Sequence, residues 1–337
     1  MWRSRPLRVT VIALIGVAVA LYVVRTIGLK PIFNAATTIG WHGFAALCLY
    51  QFGQFVLLGS AWCVLVPRLY RPQPLAFVWA RMVRDATTEL LPFSHLGGIL
   101  CGVRAAIARG IAQPIAFGSL VADITAEMVA QVVFTAVGVA VLMASMASRL
   151  VNAWVTGTAV LGFLTLSVTC VVVLIFQRFG GRWPAKLVSR LFPRALPLTD
   201  QVIGCLREIY RRPICICLAV SLHFAGWLAS AVSTWIALRF MGVQAALVPV
   251  IAIESLVCAV RSVGFWVPNG LGVQEVAYAS IAPLLGIGAE IGLAISVLKR
   301  ARDVVVGVPI LLLWQWTESR RLLADMPLHR HSSAAAD

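Results

Sequence analysis

The sequence predicts an all-α polytopic membrane protein, built as two inverted repeats with about six full spans and two re-entrant helical hairpins. Three observations carry that prediction. Of the 337 residues, 60% are hydrophobic and 12% charged, and the mean hydropathy is +0.91. A soluble domain of this length could not hide so much apolar surface. Several apolar runs reach the roughly 20 residues that cross a bilayer as a helix. Two further apolar regions are broken in the same way, by charged residues around a Pro and Gly turn. No substantial soluble domain fits between the runs.

The first run, VTVIALIGVAVALYVV, follows Arg3, Arg5 and Arg8. It resembles a signal peptide, but no small-residue cleavage site follows it and Arg25 and Lys30 flank it, so it is read as a retained span over 9–27. The next span is 37–66. Region 75–110 comes after it and carries Arg81, Arg84, Asp85, Glu89, His95, Arg104 and Arg109, with Pro92 and the pair Gly97–Gly98 in its middle. Spans 115–147 and 152–176 follow. Segment 184–212 is amphipathic and basic, which suits a cytoplasmic surface helix among anionic headgroups. Span 213–239 leads to the second broken region, 247–288, which carries Glu254, Arg261 and Glu275 around Pro268, Gly270 and Gly272. A last apolar segment, 290–316, contains Lys299, Arg300, Arg302 and Asp303. Residues 317–337 read as a disordered tail.

The order of these parts repeats, giving a first repeat over 1–147 and a second over 150–316. Three full spans in each would invert the second relative to the first. With the N-terminus in the cytoplasm, 20 of the 28 Lys and Arg residues fall inside, 5 outside and 3 within the membrane. Both termini are then cytoplasmic, as the positive-inside rule expects. Eight full spans remain the rival topology, because parity keeps both termini inside if the broken regions cross. Non-helical backbone at membrane depth survives only where protein buries it or water reaches it. The turns PFSHLGG and VPNGLG are therefore read as tips of hairpins that enter from opposite faces and meet near the midplane.

Charges at that depth need partners or a purpose. Asp123 and Glu127 are spaced i, i+4 and share a helix face. They either pair with Arg84 or Arg104 to fix the first hairpin, or they bind substrate or protons. Arg300 and Asp303 can pair at i, i+3. The surplus cations at 299–302 either neutralise Glu275 or Glu254, receive a polar headgroup, or snorkel to an interface. Glu275 stands near a helix N-terminus, where a carboxylate is favourable on dipole grounds alone. Asn269 and Gln274 are candidate headgroup hydrogen-bonders. His42, His95 and His223 are isolated in sequence, and only His95, at a hairpin tip, is taken as a polar contact. The eight cysteines show neither CxxC nor Cys/His metal spacing and read as small buried hydrophobes. No catalytic, nucleotide or metal motif stands out, so no cofactor or metal is expected and no nucleic-acid partner.

Two stretches carry a family resemblance. PNGLGVQE, AYASIAPLLGIG and KRARD resemble the C-terminal signature of the flippase-like membrane domain of lysylphosphatidylglycerol synthases. ELLPFSHLGGILCGVRA with SLVADITAEMVAQVVFT is similar to the hopanoid-biosynthesis-associated branch of that superfamily. The resemblance covers roughly 5–320. It implies a bacterial inner-membrane protein that moves or localises hopanoid lipids rather than making them. By motif it carries over Glu89, Pro92, Gly97, Gly98, Arg104, Asp123 and Glu127, then Pro268, Gly270, Gly272, Glu275, Arg300 and Asp303. The synthases have a soluble aminoacyl-transferase domain after the membrane part, so aminoacyl transfer is not expected here. The turn PNGLG lacks a glycine that the wider family often has.

The expectation is a lipid transporter whose polar groups, Glu89, His95, Arg104, Asp123, Glu127, Asn269, Glu275, Arg300 and Asp303, line a path for a headgroup. Its partners would be membrane lipids and the proteins that make or move them. Two other functions fit the same charges. One is an intramembrane lipid-modifying enzyme using paired carboxylates as acid and base, and the other is a scaffold that docks a lipid-synthesis complex.

Overall fold

The computed structural model describes residues 37, 39–67, 73–91, 94–146, eight positions between 157 and 171, 196–263 and 272–324. The span expected at 9–27, Pro92, Pro268, Asn269, Gly270 and most of the span at 152–176 lie outside the described residues. Among those described, every regular element is helical. We number them α1 (Gly40–Leu65), α2 (Pro74–Leu90), α3 (Ser94–Ala108), α4 (Gln113–Met146), α5 (Leu196–Tyr210), α6 (Pro213–Phe240), α7 (Leu247–Val263), α8 (Val273–Ile281) and α9 (Ala289–Ala324). A 3-10 turn, Ala282–Leu285, follows α8.

Three helices are long and apolar enough to cross a membrane, over Gly40–Leu65, Gln113–Ala144 and Pro213–Phe240. Their starts follow from local sequence. Pro74 and Pro213 occupy first-turn positions, where the missing N–H costs nothing. Helix α9 has 36 residues, and its length comes with charges in its middle. It continues to Ala324, so the beginning of the segment expected to be tail is helical. Arg104 on α3 donates to Glu318 there, which ties that end of α9 to the rest of the fold.

Large apolar side chains line the outside, among them Leu49, Val56, Leu75, Ile214, Leu313 and Trp316. That is the inverse of a soluble surface and suits contact with acyl chains. Inside, small residues bring helices close. A Cβ on Gly59 of α1 would fall 2.5 Å from the Val78 Cα of α2. Gly43 and Gly226 meet Phe240 and Leu58, so α1 and α6 run antiparallel. Gly97 and Gly98, expected as turn residues, are helical. They sit in α3 against Thr87, Arg84 and Thr88, and they let α2 and α3 pack as a tight antiparallel pair. The bend itself begins at Leu91.

Helix α2 lies on α9, and α7 lies on α4. Gly307 of α9 packs against Leu90 and Ala86 of α2, while Gly138 of α4 packs against Ser255 and Ala252 of α7. The largest fully buried side chains include Trp62, Phe77 and Phe134, in the α1–α2–α4 region, and Tyr278 on α8.

Candidate functional site

Charged side chains gather at two places, and the two use equivalent positions. Arg81 is the eighth residue of α2 and Glu254 the eighth of α7. Asp123 is the eleventh of α4 and Lys299 the eleventh of α9. The cation sits on the hairpin in the first half and on the long helix in the second. At 1.5 Å per residue, Asp123 and Lys299 each lie about 15 Å along their helices, half the thickness of a hydrocarbon core of roughly 30 Å.

The first cluster joins α2, α4 and α6. Arg81 donates through Nη2 to Glu127 Oε1 at 2.7 Å and through Nε to Asp85 Oδ2 at 2.8 Å. Arg84 donates to Asp123 Oδ2 at 2.8 Å and to Glu127 Oε2 at 2.6 Å. His223 Nε2 lies 2.8 Å from Asp123 Oδ1, and neither residue is exposed at all. Buried charges are tolerated only with such pairing. Asp123 and Glu127 thus engage Arg84, one of the two expected partners, together with Arg81. Arg104 instead reaches the end of α9. Arg81 and Arg84, counted with the cytoplasmic arginines above, are inside the protein.

The second cluster joins α6, α7, α8 and α9. Lys299 Nζ donates to Glu254 Oε2 at 2.6 Å and to Tyr278 Oη at 2.9 Å. Glu254 also accepts from Thr234 at 2.6 Å, from Ser230 at 3.3 Å and from Tyr278. Beside it Arg302 donates to Asp303 Oδ1 at 2.8 Å and to Ser233 at 3.4 Å. A cavity of about 10 Å³, roughly one water in size, touches Lys299, Arg302, Ser233 and Thr234. Arg300 bonds Glu275 on α8. The expected Arg300–Asp303 pair is therefore not what forms: α8 takes Arg300, and Asp303 turns to its neighbour.

Glu275 caps α8. Its Oε2 accepts from the Gly272 N–H at 2.8 Å, and Gly272 adopts φ +81°, a left-handed conformation that suits glycine. Gln274 donates to Ser296 at 3.0 Å and is buried, so it braces α8 on α9.

Between the clusters the hairpins meet. Arg261, at the end of α7, donates to both oxygens of Glu89, at the end of α2, each at 3.3 Å. Their side chains are 38% and 35% exposed, against 24% for Asp303, 12% for Arg84 and 9% for Arg302. Gln131 of α4 donates to Ser262 at 3.2 Å next to this pair.

Of the residues singled out from sequence, Glu89, Asp123, Glu127, Glu275, Arg300 and Asp303 enter these groups. Arg104 lies apart, and the side chain of His95 and all of Asn269 fall outside the described residues. Sequence reasoning gave no role to Arg81, Asp85, Arg261 or Tyr278 and passed over His223. One alternative it held open, that the cations at 299–302 neutralise Glu254 or Glu275, is what forms, and the shared register of α2 with α7 and of α4 with α9 would have singled out Glu254 and Lys299 as the pair. Nothing local marks His223, which meets Asp123 from 100 residues away. Among the described residues no group of three His, Cys, Asp or Glu side chains could hold a metal.

Residues 8–310 match the family described as Lysylphosphatidylglycerol synthase TM region. The chain belongs to that family. The superfamily half of the resemblance is thereby shown, and the chain is a membrane protein of a flippase-like, lipid-related family. No curated protein and no solved structure matches it.

Proposed function

We propose that this member of the lysylphosphatidylglycerol synthase TM family moves the headgroup of an amphipathic lipid past the bilayer midplane, between two inverted halves. The observation that carries the reading is the Glu89–Arg261 pair. It joins the ends of α2 and α7, it is more than a third exposed, and the charges of the two clusters beside it are more deeply buried and paired. A pair shared between two moving bodies and open to a ligand can be broken by a headgroup that offers either partner a better bond. The crossed packing, with α2 on α9 and α7 on α4, supports a mechanism in which hairpins and long helices move as paired bodies. Hopanoid lipids are favoured because the stretches around 89–104 and 119–135 resemble the hopanoid-associated branch. The protein would sit in a bacterial inner membrane with both termini in the cytoplasm, where α5 and its basic flank meet anionic headgroups or lipid-synthesis proteins.

A second reading is catalysis on a lipid inside the bilayer. Lys299, Tyr278 and Glu254 favour it, since a mutually bonded amine, phenol and carboxylate can relay a proton. The carboxylate and amine already saturate each other, and transport is the better fit.

A deletion strain separates the two. Each hopanoid species is quantified in the inner and outer membranes. Transport predicts unchanged totals with a depleted outer membrane, and restoration by the wild-type gene but not by Arg261→Ala. A missing species with an accumulated precursor would replace transport by catalysis.

A further inference from the structure

We propose that the His223–Asp123 pair is a proton-binding site and that its proton is the ion that drives transport. The driving role rests on the transport reading above; the proton site does not. Two independent observations lead to it. The first is charge. Among the described residues, the cluster sets Asp85, Asp123 and Glu127 against Arg81 and Arg84, so there the carboxylates exceed the guanidiniums by one. An uncompensated charge at this depth is costly. The second is the imidazole. His223 is completely buried, its Nε2 is engaged with Asp123, and its Nδ1 has no partner among the described residues. Imidazole is the side chain whose charge changes near neutral pH.

The two observations define two states, each incomplete in a different way. With His223 neutral, Nε2–H donates to Asp123, Nδ1 keeps a bare lone pair, and the cluster carries one excess negative charge. A proton arriving at the Nδ1 lone pair removes that excess. It then leaves a buried N–H donor without an acceptor, a defect comparable in size to a lost hydrogen bond. Protonation therefore favours a shift of α6 that gives Nδ1–H a partner. Helix α6 packs along α1 and α4 and carries Ser230, Ser233 and Thr234, which hold the second cluster. A proton on His223 therefore acts on both halves.

Other charges do not compete for this role. Facing the imidazole are Asp123 and, beyond it, Glu127, Arg84, Arg81 and Asp85. The ionisable groups of α1 are His42, Cys48, Tyr50 and Cys63, none of them a carboxylate. Those of α5 are Asp200, Cys205, Arg207, Glu208 and Tyr210, on the helix that precedes α6. From α7 and α9, Glu254, Lys299 and Arg302 meet α6 about 10–15 Å further along, and Asp303 balances Arg302 there. The rival carboxylate is Asp85, which among the described residues hydrogen-bonds to Arg81 and is partly exposed.

The test uses the full-length protein in nanodiscs, with 15N-labelled histidine. The His223 resonances are assigned by their loss in His223→Gln, whose amide N–H still donates to Asp123 but takes no proton. Nδ1 is expected to start as a bare nitrogen and become protonated in a single step between about pH 8 and about pH 5. Asp85→Asn should leave that step in place. An Nδ1 unchanged over this range, or a step abolished by Asp85→Asn, would overturn the site, as would its replacement by sodium-dependent shifts at fixed pH.

Coupling is read in vesicles containing a labelled hopanoid. One proton per headgroup makes a pH difference of one unit sustain about a tenfold leaflet asymmetry in wild type and none in His223→Gln. Equal asymmetry in both proteins refutes coupling. A titrating His223 with no hopanoid movement in wild type refutes the transport reading and leaves the proton site standing.

Discussion

Replacing Lys299 by Met should cost about 3–5 kcal/mol of stability, the range for removing one partner of a buried ion pair. The structure says why the figure is near that range rather than the ~1 kcal/mol of a surface pair. Glu254 is 6% exposed, and among the described residues Lys299 is its ion-pair partner, at 2.6 Å. The variant keeps the bonds from Thr234, Ser230 and Tyr278 to Glu254 but leaves a buried carboxylate without that partner. Adding Glu254→Gln removes that charge while the amide oxygen still accepts from Thr234 and Tyr278. The double variant should therefore regain about 2 kcal/mol or more over the single one. Thermal unfolding in detergent can be followed with a thiol-reactive dye, because Cys258 is buried and held by Gln131. Cys217, which is exposed, is first changed to Ser to remove the background. A double variant no more stable than Lys299→Met would refute the claim that an unpaired carboxylate is the source of the loss. A single variant as stable as wild type would refute the buried pair itself.

Gly59→Ala should destabilise the protein by about 1–3 kcal/mol, because its Cβ meets the backbone of Val78 and α1 must move off α2. Gly53→Ala has nothing within 4 Å and should match wild type or exceed it by up to about 1 kcal/mol; equal unfolding temperatures for the two would count against this packing. On the surface helix α5, burial pushes the Cys205 thiol up to about 11, with Glu208 adding to the effect. A raised value keeps the neutral thiol, so about one molecule in a thousand carries the thiolate at pH 8. Maleimide labelling at pH 8 should find Cys217 and pass over Cys205 while the protein is folded. Rapid labelling of both would contradict the seating of Cys205 against Gly118.

Much of the architecture was legible in the amino-acid sequence. Apolar runs located α1, α4 and α6, since a bilayer demands length and hydropathy and little else. The broken regions located the helix pairs α2 with α3 and α7 with α8, because Pro, Gly and charges interrupt such runs. Partner choice was far less legible. Arg300 was matched with Asp303 by spacing, but spacing along one helix ignores α8, whose Glu275 lies within reach of Arg300. Gly97 and Gly98 read as turn residues because glycine is a turn signal, whereas here it serves close helix packing. His223 shows the limit most clearly. Its partner depends on how α4 and α6 are brought side by side, and neither helix announces that in its own pattern.

The crossed packing has a consequence for how the chain is made. Arg81 and Arg84 find Glu127 and Asp123 within 46 and 39 residues, and Glu254 finds Lys299 within 45. The apolar face of α2 near Leu90 waits instead for Gly307. At about 5–20 residues per second of synthesis, that delay is about 10–40 s. During it Arg81 and Arg84 and the carboxylates of Asp123 and Glu127 already cover one another. Still waiting on α2 are Glu89, whose partner Arg261 comes 172 residues later, and the apolar surface at Ala86 and Leu90, which acyl chains can solvate until the last helix arrives.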